Sequence, residues 1–276
     1  MRSGPAVAPH GCRVIFMPAM GGGHPPAGGS CLVRYCEPVS DDDLTRRYDK
    51  PTASGSSPSS DRQGTKYVIM ADGESSRWHG DGPPKHLVQA GGNQLLARTV
   101  HLLHHCGVTA NAIIVTSHDQ RYAMPGARLY APLDNHREID RFTRELIEDD
   151  VCFLYGDTYY SLAAITRIVD SVTPGVLFLG SKDSIVAVKI GSAALFRQGL
   201  ALVEEAIANG TLTDGKGWHV YKAMHGIDFD SSATGDDFVL LDDLTSNINT
   251  WDDYVHLLSV TGGASAEPEP VAELAS

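Results

Sequence analysis

Between residues 66 and 258, short apolar, β-branched runs alternate with longer stretches of helical spacing. That alternation constrains the fold more than any other feature of the chain. Strands joined by crossover helices lie parallel in one open sheet, so an α/β domain with a mostly parallel sheet is expected. The runs at 67–70, 112–115, 151–155, 176–179 and 185–190 have strand length. Helices are predicted over 94–106, where Leu95, Leu96, Val100, Leu103 and Cys106 fall near helical spacing before Gly107, and over 161–172 and 195–208.

Residues 1–65 break the pattern with Gly21-Gly22-Gly23, the run Pro25-Pro26-Ala27-Gly28-Gly29 and a Ser-rich stretch at 52–60. Such composition buries too little apolar surface to offset the entropy of ordering it. This segment is expected to be disordered or irregular, or an over-extended start to the reading frame. The folded domain is expected at 66–260, with a flexible tail at 261–276.

The charge of −12 is uneven: residues 1–65 hold 7 Lys/Arg against 6 Asp/Glu, leaving 15 against 28 in the remainder. An acidic domain lacks the basic stripe that nucleic-acid binding needs, so no nucleic acid is expected as a partner. Small anionic substrates remain compatible, provided that a few cations gather locally. The five cysteines, Cys12, Cys31, Cys36, Cys106 and Cys152, are odd in number and show no disulfide framework, which suggests a reducing, cytoplasmic setting. No stretch approaches the ~18 apolar residues of a membrane span, so no membrane partner is expected. The oligomeric state cannot be read from the sequence.

Ligands of open α/β sheets bind beyond the carboxyl ends of the strands. Two such ends carry polar loops with glycine. The first runs Ala71-Asp72-Gly73-Glu74-Ser75-Ser76-Arg77-Trp78 and leads through Pro83-Pro84 to Lys85; its small residues let backbone N–H groups approach phosphate, while Arg77 and Lys85 supply charge. The second is Gly156-Asp157-Thr158, where a carboxylate on a strand end suits a hard divalent cation. An Asp at that junction also suits a helix cap near Ser161.

Together these features resemble the nucleotidyltransferase superfamily, which includes sugar-phosphate nucleotidylyltransferases and MobA-like nucleotidyltransferases. The likeness rests on Ala71, Gly73, Ser75, Ser76, Arg77, Pro84 and Lys85, then on Gly156-Asp157, then on Asn247-Ile248-Asn249-Thr250-Trp251-Asp252-Asp253-Tyr254. It implies a Rossmann-like three-layer sandwich of the GT-A-like nucleotidyltransferase type, with helices on both faces of the sheet. It further implies transfer of a nucleoside monophosphate from a nucleoside triphosphate to a phosphorylated small-molecule acceptor such as a sugar phosphate. In that scheme Ala71, Asp72, Gly73, Glu74, Ser75, Ser76, Arg77 and Lys85 bind the nucleotide, and Arg77, Lys85 and Asp157 are catalytic. Mg²⁺ is the implied cofactor, held by Asp157, with Asn249 at the position of a second ligand.

Three departures stand beside these matches. Asp72 replaces a Gly or Ala, Trp251 replaces a Pro, and Asn249 stands where many sugar-nucleotide members carry Asp. A catalytically inactive nucleotide-binding module is therefore an alternative, as is a GT-A glycosyltransferase, although Asp157-Thr158-Tyr159 lacks that class's second Asp. A nicotinamide oxidoreductase fails on the first loop, which is not Gly-x-Gly-x-x-Gly. Lys189 stands either as a contact to an acceptor phosphate or as a solvent-facing cation. Trp218, His219, Lys222 and His225 form a polar group of candidate acceptor contacts. A His-based zinc site is not expected.

Overall fold

The computed structural model describes residues 64–73, 78, 82–235 and 237–261. The expectations for 1–63, for Glu74, Ser75, Ser76 and Arg77, and for 262–276 fall outside the described residues. In chain order the described elements are β1 (Lys66–Met70), β2 (Gln89–Ala90), β3 (Asn93–Gln94), α1 (Leu95–His105), β4 (Ile113–Thr116), β5 (Arg128–Tyr130), β6 (Val151–Tyr155) and β7 (Thr158–Tyr159). There follow α2 (Leu162–Asp170), β8 (Val176–Gly180), β9 (Ile185–Ile190), α3 (Ala193–Ala208), α4 (Gly217–His225), β10 (Val239–Leu240), β11 (Ser246–Asn247) and α5 (Trp251–Thr261).

Seven strands form one sheet in the order β10-β8-β9-β6-β1-β4-β5. β1 runs parallel to both β4 and β6, β4 to β5 and β10 to β8. β9 is the antiparallel member, paired that way with both β6 and β8. Its direction follows from its connection: only residues 181–184 join it to β8, with the Ser181 N–H bonded to the Ser184 carbonyl at 2.9 Å. So short a link makes a hairpin, whereas a parallel return needs a crossover of a dozen residues or more.

Alternation along β1 divides the core between two faces. Tyr67 and Ile69 pack with Leu96, Val100 and Leu103 of α1 and Ile165 and Ile168 of α2. Val68 and Met70 pack on the other side with Phe196, Leu200 and Val203 of α3 and Val220 and Tyr221 of α4. Because successive strand residues point to opposite faces, a buried five-residue strand must be apolar throughout, as β1 is after Lys66. Each such side chain contributes roughly 1.5–3 kcal/mol on burial. The result is the mostly parallel α/β sheet that the sequence pattern predicts, in the three-layer form that the resemblance implies. Among the described residues, no helix is long and apolar enough to cross a membrane.

Candidate functional site

The register of the central strands sets the geometry of the site. Met70 pairs with Thr116 on one side and with Tyr155 on the other, so β1, β4 and β6 end level. The loops that leave them at Ala71, Ser117 and Gly156 therefore emerge side by side. Gly156 is held against β1 by a 2.9 Å bond from its N–H to the Met70 carbonyl. A Cβ at this position would lie 2.6 Å from that same oxygen. Only glycine permits the approach, and the approach places Asp157 beyond the end of β1.

Asp157 meets two other segments there. Its carbonyl accepts from the Ile248 N–H at 2.7 Å, and Thr158 Oγ1 donates to Asn247 Oδ1 at 2.6 Å. Antiparallel pairing of β7 with β11 extends this tie, so the late Asn-Ile-Asn element is clipped onto the Gly-Asp strand end. From the other side comes Lys85, on a 3-10 turn spanning Lys85–Leu87 and closed by a 2.8 Å bond from the Leu87 N–H to the Pro84 carbonyl. Lys85 Nζ forms an ion pair with Asp157 Oδ2. The two residues are only 5% and 7% exposed. Burial works to raise the Asp157 pKa, but the Lys85 charge, with His86 and Arg141 behind it, holds the carboxyl below its usual range. Asp157 is therefore ionised.

His86, the next residue, is buried, and that burial pushes its pKa down to about 4, so the imidazole is neutral near pH 7. Tyr122 lies against it, ring centroids 5.4 Å apart and the phenol oxygen 3.2 Å from Nδ1. Burial pushes the Tyr122 pKa up to about 12, which keeps its hydroxyl protonated as a donor. His86 thus serves as an uncharged packing element beneath Lys85 and Gly156.

The pair opens into a cleft of about 210 Å³, whose lining includes Lys85, Asp157 and Asn249 together with Glu138, Arg141, Tyr155, Lys216 and Trp218. The first three are positions singled out in the sequence. Of the loop after β1, Ala71 is buried with its N–H bonded to the Thr116 carbonyl at 3.1 Å. The Asp72 carboxylate faces the loop after β4, accepting from the His118 N–H at 3.2 Å and lying 2.6 Å from His118 Nδ1. It braces two loops. Gly73 lies under the Arg141 guanidinium: a Cβ there would be 2.7 Å from Arg141 Cζ.

Several alternatives resolve differently from their sequence readings. Ser161 caps α2, its Oγ accepting from the Ala164 N–H at 2.9 Å, which leaves Asp157 free of that role. Lys189 is neither a cleft residue nor solvent-facing. It is buried, and its Nζ donates to the carbonyls of Ile168 (3.2 Å), Val169 (3.1 Å) and Ser171 at the end of α2. In the 218–225 group, Trp218 lines the cleft. The other three turn elsewhere: His219 packs edge-on to Phe229, Lys222 Nζ donates to the Phe229 carbonyl at 2.6 Å, and His225 pairs with Asp237 at 3.1 Å. Arg141, Glu138 and Lys216 carried no sequence signal, since they sit in aperiodic connections rather than in a motif.

Among the described residues no three His, Cys, Asp or Glu side chains gather as a ligand set. A donor set of one ionised carboxylate and a neighbouring amide suits a hard cation that draws its other ligands from substrate phosphates and water. Asp157 and Asn249 both line the cleft and are the residues that could supply such a set.

The fold and the residues at the strand ends define a nucleotidyltransferase-type domain. The sequence model of the MobA-like NTP transferase domain matches residues 67–210, just over half of the chain, and the chain belongs to that family. No curated protein sequence matches it significantly. Among solved structures, a protein of Bacillus anthracis assigned as a glucose-1-phosphate thymidylyltransferase superposes with a TM-score of 0.52 at 13% identity, covering 74% of this chain and 98% of its own. The CTP:phosphocholine cytidylyltransferase of Streptococcus pneumoniae gives a TM-score of 0.49 at 16% identity, covering 71% of this chain and 98% of its own. At 13% identity, the first of these likenesses speaks to the fold alone.

Proposed function

We propose that this chain transfers a nucleoside monophosphate from a nucleoside triphosphate to a phosphorylated small-molecule acceptor, with release of pyrophosphate. The observation that carries this reading is the buried Lys85–Asp157 pair, set by the level ends of β1 and β6 and opening into a polar cleft. In the reaction an acceptor phosphate oxygen bonds to the α-phosphorus. The bond from that phosphorus to the oxygen bridging to the β-phosphate breaks, and its electron pair leaves with pyrophosphate. An ionised phosphate nucleophile needs no general base. That suits a site whose nearest imidazole, His86, is buried and turned to Tyr122.

Catalysis then rests on positioning and fixed charge. Ala71, Asp72 and Gly73 begin the triphosphate loop, and Arg77, later in that loop's sequence, would neutralise the leaving pyrophosphate. Lys85 stabilises charge at the α-phosphate. Asp157 would hold a magnesium ion, with Asn249 as its amide neighbour. Such an ion, when bound, neutralises phosphate charge and orients the reacting oxygens.

The test is pyrophosphate release from ATP, CTP, GTP, UTP and dTTP in turn, with Mg²⁺ and pooled phosphorylated acceptors, and with Asp157→Ala as control. Release from one triphosphate that disappears in the variant supports transfer and names the base. Stabilisation by a triphosphate with no release from any of the panel would instead assign a non-catalytic nucleotide-binding module.

A further inference from the structure

Arg141 is a half-buried cation of the cleft that no carboxylate among the described residues pairs. It lies at the end of a 3-10 turn (Glu138–Arg141) in the connection between β5 and β6, half-buried, and it lines the same cleft as Lys85 and Asp157. Its side chain makes no hydrogen bond and no ion pair among the described residues. Three acidic groups nearby are engaged elsewhere, Asp157 with Lys85, Asp140 with Arg137 at 2.9 Å, and Asp72 with His118 at 2.6 Å, while Glu138 and Asp183 line the cleft without an ion pair to Arg141. The residue is partly exposed and lines the cleft. The guanidinium nonetheless acts on its surroundings, lowering the pKa values of His86 and Asp157.

The side chain passes close to the loop after β1. The guanidinium lies over Gly73, close enough that a Cβ there would come within 2.9 Å of Nε and Nη2. Arg141 therefore stands at the border between the loop after β1 and the rest of the cleft, where Glu138, Asp183, Lys216 and Trp218 lie. A phosphate entering that part of the cleft meets three carboxylates, Glu138, Asp157 and Asp183. Lys85 is paired with Asp157 and, in the transfer reading, faces the α-phosphate of the nucleotide. Lys216 is exposed, so Arg141 is the partly desolvated cation available to a second anion. A guanidinium offers two parallel donors to phosphate, and an unpaired one on a half-buried surface gains more from such a partner than a solvated lysine does.

We infer that Arg141 binds the phosphate group of the acceptor and neutralises it where it approaches the nucleotide. This rests on the nucleotidyl-transfer reading, and it assigns Arg141 to the acceptor side of the reaction. The probe is inorganic phosphate, titrated into the full chain and followed by thermal shift and calorimetry, in parallel with the five triphosphates. Arg141→Gln should weaken phosphate binding about tenfold or more and Arg141→Lys less, as expected for loss of a charged, bidentate hydrogen bond. Both variants should keep the parent's triphosphate-induced stabilisation and its unfolding temperature without ligand. With an active acceptor, KM for that acceptor should rise while KM for the nucleotide stays near the parent value.

Unchanged phosphate affinity in a folded Arg141→Gln, or no phosphate binding by the parent, overturns the assignment. Equal loss of triphosphate binding also overturns it, by moving Arg141 to the nucleotide side. Failure of the transfer reading looks different: the parent then releases no pyrophosphate from any triphosphate, whatever residue stands at 141.

Discussion

Lys85 Nζ and Asp157 Oδ2 form a buried ion pair across 72 residues of sequence, joining the turn after the first loop to the end of β6. Removing one partner of such a pair leaves an uncompensated charge in a poorly solvated site, at a penalty of about 3–5 kcal/mol. Lys85→Met and Asp157→Leu should each lower unfolding free energy by about that much. The double variant should recover most of the loss, since two apolar groups replace the pair. Pyrophosphate release should fall at least ~100-fold in all three, by analogy with deleting one preorganised charge-stabilising group. A double variant whose loss equals the sum of the two single losses would show that the pair contributes nothing as a pair; parent-like turnover in any of them would remove it from the chemistry.

His86 gives the domain a pH-dependent stability with a defined window. The folded imidazole takes a proton only near pH 4, because burial disfavours the charge, whereas the unfolded one does so at its ordinary 6.5. Between those values the unfolded chain binds more protons, so stability rises with pH. The contribution is fully present above 6.5 and is lost as pH falls through about 4, a total of about 3 kcal/mol. Urea denaturation at half-unit steps from pH 7.5 to 4 should show this decline, and His86→Gln should flatten it. Asp157 adds a separate decline at lower pH, because its depressed carboxyl pKa stabilises the fold only while it is ionised. Parallel curves for parent and His86→Gln would place the titrating group elsewhere.

Lys189 is predicted to be structural. It sits on β9 between Cys152 of β6 and Leu177 of β8, and from there its ammonium reaches the last carbonyls of α2. Those carbonyls have no partner within the helix, and a cation at a helix C-terminus also meets the negative end of its dipole. Lys189→Met should destabilise the fold by about 2–3 kcal/mol, through loss of hydrogen bonds from a charged donor. Turnover per folded molecule should stay at the parent value. A drop in kcat without a drop in stability would return Lys189 to the acceptor pocket.

The same lysine shows where reading the sequence stops. The strands of the sheet are legible because buried parallel strands are apolar on both faces, and α1, α2 and α3 because their apolar residues recur at helical spacing. In a strand buried on both sides, alternation does not say which face a single lysine takes. Its acceptors lie 18 to 21 residues upstream, on a helix whose docking only the fold determines. β5 has three residues at the sheet edge, and α4 opens on Gly217 within a polar stretch, so neither presents a period. The ends of β1 and β6 announced themselves through glycine and carboxylate in sequence. Arg141 did not, because its role depends on the aperiodic connection folding back over Gly73.

Trp251 replaces the proline of the family pattern, and the surrounding contacts say what the exchange does. Thr250 and Asp253 cap α5 reciprocally: Asp253 Oδ2 accepts from the N–H groups of Asn249 (2.9 Å) and Thr250 (2.8 Å), and Thr250 Oγ1 accepts from the Asp253 N–H at 3.2 Å. Trp251 is the first helical residue, where proline is well accommodated, so Trp251→Pro should leave the helix start intact. The loss would be in the rings. Trp251 lies 5.5 Å from Trp78 and 5.2 Å from Tyr254, and Trp78 Nε1 donates to the Pro83 carbonyl at 3.1 Å, two residues before Lys85. Each aromatic pair is worth about 0.5–1.5 kcal/mol, so Trp251→Pro should be less stable by about 1–3 kcal/mol and Trp251→Phe by less. Emission from the remaining Trp78 and Trp218 should shift to the red in Trp251→Pro, as Trp78 gains water, and stay near the parent in Trp251→Phe. Nucleotide KM should rise in step with that shift, since Trp78 and Lys85 share one segment; identical emission from the two variants would mean that Trp78 is held without its neighbour on α5.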